Sequence, residues 1–255
     1  LNQRQILRAL SSMRRSGART LLMGGQACVF YGAAQFSRDL DLLIVTDPGN
    51  MSLVKAALED LGAHRIAIPK FDPTLLDHGH AVHFRCTRED LAGIRIDLMS
   101  NLRGVDNFET LWKRRTVLEI EGETVDLVSA PDLVLAKKTQ RAKDWPMIER
   151  LVEQNFFTTA DPDPARVDFW LRELRTPQLL IRVAAQHSTA AREMAAIRPA
   201  VAAAIEGNLE TVADALYEEQ REEMRKDRVY WEPLKRELEE FRRAARLDNL
   251  VSNQP

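Results

Sequence analysis

The chain has 255 residues, of which 45% are hydrophobic and 29% charged. This is the make-up of a folded globular protein with enough apolar material for one large domain or two ordinary ones, and its apolar runs fall far short of the roughly 18 residues that a helical membrane span needs. Thirty-six Lys and Arg against 38 Asp and Glu leave a net charge of -2, which excludes a polycation that coats nucleic acid but leaves room for a local basic groove.

Residues 2–15 space Ile6, Leu7, Leu10 and Met13 among arginines, which predicts an amphipathic helix ended by Gly17. Residues 19–23 form a short apolar strand that breaks at Gly24-Gly25. A second helix is expected over 26–34, a loop over 35–38, a strand over 39–45, and a helix from Pro48 to about 61 closed by Gly62. Strands follow at 63–68, 80–86 and 94–100, with a proline-rich loop at 69–79 and a turn at 87–93. A short helix is expected over 107–114 and a hairpin over 117–128 with Gly122 in its turn. One helix is read from Ser129 to about 151. From Ala165 onward, leucine, alanine and charge recur at helical spacing. The expected organisation is an α/β domain over 1–155 and an all-helical domain over 156–255.

Cys28 and Cys86 lie in apolar contexts without CxxC spacing. They argue against a disulfide scaffold or a thiolate zinc site and fit a reducing compartment. No apolar signal core follows Arg4, Arg8, Arg14 and Arg15. A cytoplasmic protein with no membrane partner is expected.

The chemistry concentrates in residues 24–45. Side chains alternate along a strand, so Asp39 and Asp41 share one face while Leu40 and Leu42 share the other. Aspartate is depleted in strands. Two unit charges about 4 Å apart repel by about 4 kcal/mol at an effective dielectric near 20, and a divalent cation reverses that sign. Asp97 has the same setting in a strand whose other face carries Ile94, Ile96 and Leu98. Were that strand to neighbour the first, three carboxylates would converge as in a two-metal phosphoryl-transfer site; paired with Arg95 or solvated, Asp97 would be structural. Gly24-Gly25 joins a strand to a helix start, where backbone N–H groups donate to phosphate oxygens, and Ser37 adds a hydroxyl. The spacing is neither a P-loop nor a Rossmann fingerprint.

With thirteen residues between Gly25 and Asp39, the run Gly24-Gly25, Asp39-Leu40-Asp41 and the later Asp97 resembles the DNA polymerase β-type nucleotidyltransferase superfamily. Within it, the chain is most similar to bacterial nucleotidyltransferase-like proteins that include AbiEii-type toxins. Asp132-Leu133, Lys137, Arg141 and Lys143-Asp144 extend the likeness, which covers about residues 20–150; Gln35 stands where members frequently carry Arg. The resemblance implies a mixed sheet with flanking helices. It implies an NTP substrate held by Gly24, Gly25 and Ser37, and Mg²⁺ or Mn²⁺ held by Asp39, Asp41 and Asp97. The acceptor would be a protein, an RNA or a small molecule, and an antitoxin would be the partner if the chain is a toxin. The alternative is a non-catalytic nucleotide-binding or regulatory component that keeps the fold.

Lys137, Lys138, Arg141 and Lys143 are read on one helix, with Lys137 and Arg141 sharing a face as a cationic arm for the triphosphate or as a solvated face. His78, His80 and His83 line a pocket edge or face solvent more readily than they bind zinc. The four tryptophans are expected in the core or between domains. The charged run 218–246 is expected to be a solvated face with internal ion pairs.

Overall fold

The computed structural model describes residues 3–252. The sequence-predicted helix at residue 2 and the helical region at 253–255 extend outside the described residues. In chain order the elements are α1 (Gln3–Arg15), β1 (Thr20–Met23), α2 (Gly24–Phe30), β2 (Asp39–Ile44), α3 (Pro48–Asp60), β3 (Ala63–Arg65), α4 (Pro73–His78), β4 (Val82–Cys86), β5 (Arg95–Met99), α5 (Phe108–Lys113), β6 (Thr116–Ile120), β7 (Glu123–Leu127), α6 (Ala130–Lys137) and α7 (Trp145–Thr158). The helical C-terminal region follows as α8 (Pro164–Glu173), α9 (Pro177–Gln186), α10 (Ser188–Ala195), α11 (Pro199–Glu206) and α12 (Leu209–Ser252).

The strands form one seven-stranded mixed sheet in the order β3-β4-β5-β2-β1-β7-β6. β2 runs parallel to β5, and β1 runs antiparallel to β2 and parallel to β7. Parallel neighbours need a long crossover, and α3, β3, α4 and β4 supply it between β2 and β5. The sheet is anchored by branched aliphatic side chains: Leu21, Leu22, Leu40, Leu42, Leu43 and Ile44 are essentially inaccessible. Each such side chain contributes about 1.5–3 kcal/mol on burial. The β6–β7 hairpin closes on Glu121 (φ 51°) and Gly122 (φ 81°), the left-handed pair that a two-residue turn requires.

Two helical expectations are corrected. The loop read over 69–79 contains α4, capped by Asp72, whose side chain accepts the Thr74 N–H, and opened by Pro73 at its first turn. The prolines that suggested a loop are helix-start residues there. The single helix read from 129 to 151 is two helices. α6 ends at Lys137, with Lys138 leaving the helical range (ψ 66°), and α7 opens with Pro146 in its first turn. Proline lacks the N–H that would continue a helix through this point. α2 also begins two residues earlier and ends four residues earlier than expected.

The C-terminal region carries a buried ion cluster. Arg175 and Arg198 both pair with Glu219 at 3.0 Å. Arg198 also donates to the Leu171 and Leu174 carbonyls, and Arg175 to that of Leu216. Burial lowers the Arg175 pKa against the opposing charge of Glu219. Glu219→Gln removes the only charge in this cluster that answers both guanidinium groups, and is expected to cost about 2 kcal/mol, read as a lower denaturant midpoint at unchanged m. On α12 the exposed face carries i,i+3 and i,i+4 pairs such as Arg221–Glu218, Arg225–Glu222 and Arg236–Glu232. Trp145 and Trp170 are buried, while Trp112 stacks under Arg19 and Arg115. Cys28 and Cys86 are free and buried. Among the described residues no helix is long and apolar enough to cross a membrane.

Candidate active site

The pairing of β2 with β5 sets Asp41 opposite Asp97 and Asp39 opposite Arg95. β4 adds His83 opposite Asp97, and β1 adds Met23 opposite Asp41. Paired residues in a sheet point to the same face. A single row therefore reads His83, Asp97, Asp41, Met23, and the next residue after Met23 is Gly24. In this way the sheet brings the sequence-predicted acids and the glycine turn together.

The turn depends on its glycines. Gly24 has φ +67°, and a Cβ there would lie 1.9 Å from Asp41 Oδ2; a Cβ on Gly25 would lie 2.7 Å from Ser37 Oγ. The backbone thus approaches both side chains more closely than any larger residue allows. The Gly25 N–H donates to the Asp41 carboxylate, and Ser37 Oγ donates to the Asp39 carbonyl at 3.1 Å. Gly24→Ala combines the left-handed strain with displacement of the Asp41 carboxylate. It is expected to cost about 1–3 kcal/mol, measured by thermal unfolding.

The pKa values of the two central acids are shifted in opposite directions. Burial raises the Asp41 pKa, and the charges of Asp97 and Asp39 add to it against the opposing pull of Lys137 and the Gly25 N–H. Asp97 is also disfavoured by burial, but hydrogen bonds from His83 and Arg95 outweigh this and hold its carboxyl below the usual range. Both bonds fall on Oδ1, at 2.8 Å from His83 Nδ1 and 2.8 Å from Arg95 Nε. The Arg95 partner weighed for Asp97 is therefore present, and His83 joins it. His83 is expected from the sequence at a pocket edge or in solvent, not on Asp97. The signal was the alternation of strand 80–86, which sets His83 and Arg85 on one face and Val82, Phe84 and Cys86 on the other.

The donor set on this face is all oxygen at Asp39 and Asp41, two carboxylates whose charges repel each other, and so it fits a hard divalent cation. Among the described residues no three His, Cys, Asp or Glu side chains stand as a preformed ligand group; Mg²⁺ ordinarily completes its shell with water and substrate phosphates.

Lys137 and Arg141 do not lie on one helix, which corrects the shared-face expectation. They meet instead on Asp144. Lys137 Nζ lies 3.1 Å from Oδ1, and Arg141 Nε and Thr139 Oγ1 lie 2.7 and 2.6 Å from Oδ2. Asp144 is disfavoured by burial, yet Lys137, Thr139 and Arg141 hold its pKa down. The thiol of Cys28, on α2, is pushed up to about 11 by burial and feels the charges of Lys137, Asp144 and Asp41 together. These charges therefore cluster around α2. The histidines divide. His78 and His80 both reach Glu237 on α12, at 3.1 and 2.8 Å, while His83 belongs to the acidic row.

A scan against protein-family models finds no match, and no curated protein matches the chain. Among solved structures the chain is similar to the crystal structure of an antigenic nucleotidyltransferase-like protein from Paracoccidioides brasiliensis. That similarity has a TM-score of 0.43 and 18% identity, and covers 81% of this chain and 94% of the other.

Proposed function

We propose that the chain is a metal-dependent nucleotidyltransferase that moves an NMP from an NTP to an acceptor hydroxyl. The observation that carries this reading is the pairing of Asp41 with Asp97 beside the Gly24-Gly25 turn. The acceptor oxygen would attack the α-phosphorus, lose its proton, and displace pyrophosphate, which leaves with the electrons of the broken P–O bond. A divalent cation bound by Asp39, Asp41 and Asp97 would supply charge neutralisation for the triphosphate and the acceptor oxygen. Gly24 and Gly25 would let the phosphates approach the backbone, with Ser37 donating a hydroxyl. Lys137 and Arg141 would counter the triphosphate charge. The acceptor would be a protein, an RNA or a small molecule. The likeness to AbiEii-type proteins supports extending the reading to the toxin of a cytoplasmic toxin–antitoxin pair.

The test uses α-phosphate-labelled NTPs, one base at a time, with Mg²⁺ or Mn²⁺ and a cell extract as acceptor pool. Label in an acceptor, absent with the Asp39→Asn, Asp41→Asn double variant, is the expected result. One observation favours a second reading: the Asp97 carboxylate is already engaged by Arg95 and His83. On that reading the chain binds nucleotide without turning it over. Its mark would be thermal protection by Mg²⁺–NTP with no label transferred from any base.

A further inference from the structure

The segment between α6 and α7 carries Arg141 and directly follows Lys137; a single 3-10 turn at Ala142–Asp144 closes it, and residues 138–141 before that turn are irregular. Its support comes from α12. Asp227 is 2% exposed. Its Oδ2 accepts the Gln140 backbone N–H at 2.8 Å, and its Oδ1 accepts from Arg103 Nε and from Trp231 Nε1, each at 3.1 Å. Arg103, just beyond β5, donates in turn to the Lys138 carbonyl at 2.6 Å and to Glu223 of α12 at 3.0 Å. The backbone is thus gripped on both sides of Thr139, whose own hydroxyl is on Asp144 and whose carbonyl accepts from Trp145.

We propose that Asp227 is a positioning residue for nucleotide binding: through Gln140 and Arg103 it fixes the turn that sets Lys137 and Arg141 before the triphosphate. The proposal rests on the transferase reading above. Its physical basis is preorganisation. A lysine and an arginine each lose considerable rotamer entropy on binding a ligand, and a turn already ordered removes part of that cost. Bonds from a buried carboxylate to a backbone N–H and a guanidinium are charge-assisted and about twice as strong as neutral ones.

The test compares Asp227→Asn with wild type. An amide in this place can accept on one oxygen only, so either the Gln140 or the Arg103 bond is lost. With each Mg²⁺–NTP in turn, the dissociation constant and KM are expected to rise about tenfold, the scale of one lost charge-assisted bond. The kcat is expected to stay within about threefold. Asp227→Glu is expected to restore part of the affinity. Glu219→Gln, which weakens the Arg175 and Arg198 pairs of α12 but leaves the Asp227 bonds to Gln140 and Arg103 in place, is the control and is expected to leave KM unchanged. Unaltered affinity in Asp227→Asn overturns the proposal, and so does an equal rise in KM with Glu219→Gln. Where Asp227→Asn fails to fold, Arg103→Lys releases the Lys138 carbonyl and carries the same expectation. A wild-type protein that binds no Mg²⁺–NTP overturns instead the transferase reading beneath it, which separates the two failures.

Discussion

Asp41→Asn is expected to lower nucleotidyl transfer by about 10²–10³-fold, the range lost when one preorganised charge-stabilising group is removed from an active site. The same substitution is expected to raise thermal stability. Burial, with the Asp97 and Asp39 charges behind it, lifts the Asp41 pKa. The stability contributed by the protonated group is therefore present below the ordinary carboxylate pKa and is lost as pH rises through the raised folded value. Ionisation of this buried side chain therefore opposes folding. Asparagine keeps an acceptor for the Gly25 N–H and carries no charge. A gain of ~1 kcal/mol corresponds to about 2–4 °C in Tm for a chain of this size. Differential scanning calorimetry at pH 7, beside the labelled transfer assay, reads both effects. A variant that loses activity and Tm together would mean that Asp41 is a structural acid.

Asp144→Ala carries the largest stability effect. The carboxylate is 1% exposed and answers Lys137, Thr139 and Arg141 at once. Its removal leaves the Lys137 ammonium buried without its counter-charge. Breaking a buried pair from one side costs about 3–5 kcal/mol, and denaturant unfolding measures it. The pH dependence has the opposite sign to that of Asp41. The Asp144 pKa is held down in the folded state by Lys137, Thr139 and Arg141 against burial. Its stabilisation is thus present above the ordinary carboxylate pKa and is lost as pH falls through the lowered folded value. Asp144→Asn should flatten that acid limb, which gives a second readout should the alanine variant not fold.

The parts of the fold legible in the sequence were those with a strong period. The alternation in Asp39-Leu40-Asp41-Leu42 and in Arg95-Ile96-Asp97-Leu98 located β2 and β5 and assigned their faces. Strand adjacency is a long-range property, so the sequence could state what convergence of the acids would mean but not that Asp41 would sit opposite Asp97. The break after Lys137 is not legible in the apolar pattern, because Leu133, Val134 and Lys137 continue a helical period; Pro146, in the first turn of α7, is the residue that marks it. Basic residues four apart then read as a helical face, whereas the structure gathers them by folding a turn around Asp144. α4 was missed for the converse reason: Asp72-Pro73 is a capped helix start inside a segment that its prolines marked as loop. The roles of His83 and Arg95 on Asp97, and of Asp227 on Gln140, depend on partners 14, 2 and 87 residues away. Only the Arg95 contact is local enough for a sequence to suggest.

The central claim is that the acidic row and the glycine turn together hold a metal-bound triphosphate. Its most direct test is a crystal of the protein grown with Mn²⁺ and an NTP analogue that cannot be cleaved between the α- and β-phosphates. Anomalous density for Mn²⁺ against the Asp39 and Asp41 carboxylates, with the triphosphate over Gly24 and Gly25, is the predicted result. An analogue bound with its phosphates elsewhere, or Mn²⁺ absent from both carboxylates at saturating analogue, would contradict the account.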